Sequence, residues 1–339
     1  MIELSTNDLV FSFPEVHPDA SLRMSFHRTL RIPDDGDEYP LPPGLGSFPL
    51  RHVDDFASKI PASWAQRGGV MMPMYQSEAL WMSFDSTWLD DRDTEYPFAI
   101  KVATGKINAV TGESWSDGLA TAPQDYLVAP EQPWLDGYCV EKGFIRQFVA
   151  MPLGSGYSAE EQVTGEAVHG GLQIAVFPMK RQVFDQRFPV RDAGHTDFRA
   201  QAMMAPMPDA DMGLAPGGRM RQEIYEDPFG FSDWDRQHKS RCFIHLANSL
   251  VWRQVTGHEP PTTPMTATEY QASGLPWFDY YSENGAVAGT DRLAGLQGIA
   301  EKSNKQGEVV LPENQTVSPE HVVPLRKGLK DSQVREGSI

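Results

Sequence analysis

Six residues between positions 134 and 169 have the types that hold or transform a small polar molecule. Trp134 and Asp136 lie in "PWLDGY", where a flat ring sits two positions from an acid. Tyr157, Glu161, Glu166 and His169 follow within a short span. Carboxyl groups facing each other across a bound sugar can share general acid and base roles. Indole and phenol rings add broad apolar area with a polar tip. The six are therefore the candidate ligand-binding set, and a hydrolase-like reaction on a small or carbohydrate-like substrate requires them to converge on one cleft. The competing explanation is architectural. Trp and Tyr beside turns plug loops onto a core, and a neighbouring acid bonds local backbone N–H groups. Two further acid–aromatic mixtures, "SDWDRQ" (Asp233, Asp235) and "LPWFDYY" (Trp277, Asp279, Tyr280), invite the same two readings.

The stretch "MPLGSGYSAEEQ" (151–162) offers a different chemistry. Gly154, Gly156 and Ala159 match G-x-G-x-x-A, a form of the dinucleotide fingerprint. Ser158 and Glu161, however, form S-x-x-E, a capping box that fills the helix start, and Glu160 adds a second negative charge where a pyrophosphate needs free donors. Thr164-Gly165 then stops the helical pattern after about two turns, short of a Rossmann helix. The loop is read as a corner, and no cofactor is expected. Nine scattered histidines show no H-x-x-x-H spacing, and C-x-x-C is absent, so no metal is expected. "GHTD" (His195, Asp197) and "EAVHGG" (Glu166, His169) are the nearest approaches. A Cys139 nucleophile served by His169 or His245 is conceivable, since such groups assemble in space. A buried structural thiol is the simpler account.

The 339-residue chain carries a formal net charge of −17. That sign repels phosphodiesters and anionic lipid, and the densest basic run, "RMRQ", is followed by Glu223, Glu226 and Asp227. Nucleic acid and membrane are therefore not expected partners. The opening "MIELSTNDLVFSF" has no basic n-region and no long apolar stretch, and two cysteines suit a reducing compartment; the expected location is the cytoplasm.

"DLVFSF" and "LRMSFHRTLRI" alternate as half-buried strands do. "YPFAIKVATGKINAVTG" reads as a hairpin about Thr104-Gly105-Lys106, and "GYCVEKGFIRQFVAMPL" as two strands joined at 141–143. "GGLQIAVF" and "RCFIHLA" are further strands, the latter leading to a helix capped at Asn248 or Ser249 and stopped at Gly257. Residues 54–59 form a short helix, with a second helical turn after Pro61 ended by Gly68-Gly69. Residues 185–218, rich in Met, Ala and Pro, read as an inter-lobe segment or covering loop. From 285 to 339 an extended or partly flexible tail is expected, with one weak helix in "GTDRLAGLQGIAEKSN". The fold class is α+β: a β-rich centre of many short strands, few short helices and long Pro/Gly loops, in one globular domain over 1–284.

Several blocks in order, among them "RGGVMMPMYQSEALWMSF", "QPWLDGY", "IRQFVAMPLGSGYSAEEQVTG", "MGLAPGGRMRQEIYEDPFG" and "GLPWFDYY", resemble an uncharacterised family of bacterial and fungal proteins. The blocks cover much of 28–281. The resemblance implies no activity or catalytic residue. Members are sometimes labelled integral membrane proteins, but no stretch here approaches the roughly 18 apolar residues of a spanning helix. The leading expectation is a binding or self-assembling protein and a homo-oligomer. Apolar islands in the tail, "EVVL" and "HVVPL", would add to another subunit's sheet edge. The enzyme acting through loop carboxylates is the alternative.

Overall fold

The computed structural model describes residues 1–190, 212–261, 263–280, 285–308 and 315–325. Two sheets share one core. The first runs Ile2–Ser5, Asp8–Ser12, Ser21–Thr29, Ala79–Ser86, Phe144–Pro152, Met212–Arg221 and Glu38–Tyr39. Gly44–Ser47, Trp134–Leu135 and Gly137–Glu141 pair onto its third, fourth and fifth strands. The second sheet runs Ile107–Asn108, Phe98–Thr104, Leu172–Pro178, Ser240–Ala247, Val70–Pro73 and Arg51–His52. Leu127–Ala129 pairs onto Phe98–Thr104. Leu22, Met24 and Phe26 of the first sheet and Ile100, Val102 and Val176 of the second belong to one buried cluster.

The β-rich α+β class follows from the side chains. In Ser21–Thr29, Leu22, Met24 and Phe26 alternate inward, as a period of two requires. Phe98–Thr104 and Leu172–Pro178 are buried along their whole length, so both their faces are covered. Thr104 pairs with Ile107, and Gly105 and Lys106 both take positive φ, the turn that matches strand twist in a two-residue hairpin. The helices are short because their signals are close together. Ser158 and Glu161 make the expected capping box, and the helix Ala159–Thr164 ends after six residues. Asn248 caps Ser249–Thr256.

Three expectations change. Residues 54–59 contain only the 3-10 turn Asp54–Phe56, while the turn expected after Pro61 is the α-helix Ala62–Arg67, with Pro61 as its N-cap and Gly68 at its end. Of 185–218, the described parts are the end of the helix Arg181–Arg187 with the three residues after it, and, from Met212, no linker but a ten-residue strand, Met212–Arg221, inside the first sheet. Its Pro216 and paired glycines look like breakers. Pro216 sits where the register against Phe144–Pro152 shifts between Arg146 and Phe148, a bulge that needs no ladder N–H. The glycines allow close approach: a Cβ on Gly217 would lie 2.6 Å from Val149 Cγ2, and one on Gly218 2.1 Å from the Pro33 carbonyl oxygen.

The third change concerns the tail. Asp291–Ala294 and Ile299–Gln306 are two helices, not one, and both are docked. Leu293 and Ile299 are buried, and the Ala300 N–H donates to Asp34 at 2.9 Å. The "HVVPL" island supplies Val322–Leu325, which pairs in parallel with Trp277–Tyr280 of the same chain. "EVVL" lies largely outside the described residues. No helix among the described residues is long and apolar enough to cross a membrane.

Candidate functional site

An aromatic cleft of about 260 Å³ opens on the outer side of the first sheet, lined by Leu41, Pro42, Pro43, Gly44, Trp81, Trp134, Asp136 and Phe278. Strand pairing builds it. In Ala79–Ser86, Leu80, Met82 and Phe84 point into the core, which leaves Trp81 and Ser83, half-buried, on the other face. Trp134 pairs with Ser83, so its indole is a diagonal neighbour of Trp81. Phe278 is brought in by a mutual backbone bridge: Leu41 N–H donates to the Phe278 carbonyl at 2.8 Å, and Phe278 N–H to Leu41 at 2.9 Å. The same bridge holds the stiff Pro42-Pro43 rim. His27 stacks on Trp81 with ring centres 4.1 Å apart, and Tyr280 meets Trp134 edge-on at 4.7 Å. Burial lowers the His27 pKa, against the raising effect of Asp8.

Asp136 is buried, only 4% exposed. It and Gln222 bond reciprocally: Gln222 Nε2 donates to Asp136 Oδ2 at 2.6 Å, and the Asp136 N–H donates to Gln222 Oε1 at 3.0 Å. Burial pushes the carboxyl up to about 7, and hydrogen bonds from Gln222 and Trp134 only partly oppose it. No cation is paired with it among the described residues. A lone carboxyl that burial keeps poised near neutrality, at the foot of an aromatic cleft, can give or accept a hydrogen bond or offset a positive charge.

Of the six sequence candidates, the structure brings Trp134 and Asp136 together on this cleft. The other four are not among its lining residues. Tyr157 is buried, its hydroxyl bonded to Ser303 at 2.9 Å and Glu308 at 2.7 Å. Glu161 is spent on the corner, taking the N–H groups of Gly156 and Ser158. Glu166 is exposed. His169 has Nδ1 3.5 Å from an Arg67 guanidinium nitrogen, and burial is the main cause of its lowered pKa. Convergence of all six fails because the capping box holds Glu161 within the corner and Tyr157 turns to Ser303 and Glu308 of the C-terminal segment.

In the sequence Glu160 offers charge at the helix start and, with Glu161, a candidate carboxylate pair. It is in fact buried, and its carboxylate takes three backbone N–H groups, from Val168 at 3.0 Å, His169 at 2.8 Å and Gly170 at 2.8 Å. Glu160 and Glu161 therefore point to different segments and do not form a catalytic pair. Asp233 is held by Arg187 at 2.6 Å and Asp235 by His238 at 2.9 Å. Trp81 and Phe278, which complete the cleft, escaped the sequence reading. Their only signal was an indole on the polar phase of an alternating strand and a ring within "LPWFDYY". Cys139 and Cys242 are unpaired thiols that burial pushes up to about 12, which keeps them protonated and poor nucleophiles. Among the described residues no three or more His, Cys, Asp and Glu side chains converge. "GHTD" lies outside the described residues.

The fold and site thus define a β-rich α+β protein with an aromatic cleft over a buried carboxyl. No protein-family model, curated protein or solved structure matches the chain.

Proposed function

We propose that the chain binds a small, mainly apolar ligand in this cleft, with Asp136 as the polar anchor. One observation carries the reading. Trp64, Trp234, Trp252 and Trp277 are fully buried plugs, whereas Trp81, Trp134 and Phe278 converge on open space and stay half-buried. A pocket of mostly apolar walls with one well-placed polar group is the usual form of a small-molecule site. Since a cavity of about 150 Å³ holds a benzene, this one suits a ligand on the order of ten non-hydrogen atoms. Glycoside hydrolysis uses two facing carboxyl groups, and among the described residues Asp136 is the one carboxyl lining this cleft, which favours binding over the hydrolase alternative.

A ligand-observed magnetic-resonance screen of small ring compounds tests this. Hits against the full chain should weaken roughly tenfold or more with Trp134→Ala, as when an aromatic anchor is truncated, while the fold is kept. Hits that bind Trp134→Ala as well as the parent chain would place the ligand elsewhere and defeat the reading.

A further inference from the structure

The chemistry of the walls narrows the ligand class. Among the described residues no Lys or Arg lines the cleft, and the Asp136 carboxyl is its only ionisable lining group. Three aromatic rings bound the remaining space, and ring faces carry negative quadrupole charge that attracts cations. His27 covers one side of Trp81, and the protein carries a net charge of −17. A neutral apolar ligand would use the rings but leave the buried acid without purpose. An anion would meet both the rings and the acid unfavourably. We propose, resting on the cleft being a ligand site, that its ligand is a small organic cation: an ammonium with apolar substituents, held among Trp81, Trp134 and Phe278 with Asp136 as its counter-charge.

The proposal has a pH signature. Burial favours the protonated acid, and a cation favours the ionised one, so binding should release a proton and strengthen as pH rises through the Asp136 titration. The groups around Asp136 are few. Gln222 and Trp134, bonded to it, are neutral. Behind Trp134 a hollow of only about 10 Å³ is lined by Arg221, Glu223, Tyr225 and Tyr280 among others. His27 lies beyond Trp81, with Asp8 and Asp85 further along the same sheet face.

The test is calorimetric titration of the full chain with choline and with its carbon isostere, in which a neutral quaternary carbon replaces the nitrogen. Choline should bind roughly tenfold more tightly at about pH 8, the range of a desolvated cation–π contact, and the preference should shrink at about pH 5. Asp136→Asn should bring the preference at about pH 8 down to that seen at about pH 5, removing its pH dependence, while still binding the isostere. Equal or tighter binding of the isostere would overturn the cation while leaving the cleft as a ligand site. Failure of both probes would also overturn it; the ring-compound screen then decides separately whether the cleft binds anything.

Discussion

Glu160→Ala is expected to destabilise the protein by about 4 kcal/mol, a large share of the ~5–15 kcal/mol that holds a domain together. The carboxylate takes the N–H groups of 168, 169 and 170, each a charge-assisted bond, and alanine leaves all three without it. The side chain also fills the space beside the 104–106 turn: a Cβ built on Gly105 would lie 2.6 Å from Glu160 Cβ. One residue therefore ties a helix start, a hairpin turn and a loop. Glu161→Ala is the matched control. It removes the capping-box carboxylate and its bond to the Gly156 N–H, but from a half-buried site that water reaches, and should cost about 2 kcal/mol. Urea unfolding of both variants checks the ranking. Equal midpoints would show that the three N–H groups find water without loss.

Asp136→Asn is expected to change how stability depends on pH. The unfolded carboxyl titrates near its ordinary 3.8, whereas the folded one is pushed up to about 7. Below about pH 4 both states are protonated and the acid carries no ionisation penalty. Between the two values the unfolded chain has lost its proton and the folded chain has kept it. Stability thus falls as pH rises, by at most ~1.4 kcal/mol per unit, and the loss is complete above the folded value. Asparagine keeps the shape and cannot ionise. Relative to the parent, the variant should gain on the order of 4 kcal/mol between about pH 4 and pH 8. Glu78, also pushed up to about 7 by burial despite Arg28 at 2.8 Å, is common to both proteins and cancels in the comparison. Parallel stability–pH curves for the two would mean that Asp136 is hydrated and ionised in the folded state.

What was legible in the chain was local. The 151–165 corner declared itself because Ser158 and Glu161 are three residues apart and bond each other. The 104–106 turn and the Asn248 cap were visible for the same reason. The cleft was half legible. Trp134 and Asp136 stand two residues apart, but Trp81 joins them only through pairing across more than fifty residues, and Phe278 only through its bridge to Leu41. Glu160 looked like its neighbour Glu161 because nothing local shows that its chain turns inward. Met212–Arg221 was hidden because Pro216, Gly217 and Gly218 normally end strands; here a bulge and two close backbone approaches call for them. The docked segment 285–307 was hidden by its polarity, since few apolar side chains, chiefly Leu293, Leu296 and Ile299, do the anchoring.

The cleft itself is tested most directly by the tryptophan side chains. Their indole N–H resonances, followed in a nitrogen-15 spectrum during titration with choline, report each ring separately. Saturable shifts at Trp81 and Trp134 with one common Kd, and quiet resonances from the core rings Trp64, Trp234 and Trp252, are the predicted result. Shifts confined to other tryptophans, with Trp81 and Trp134 unmoved, would contradict it.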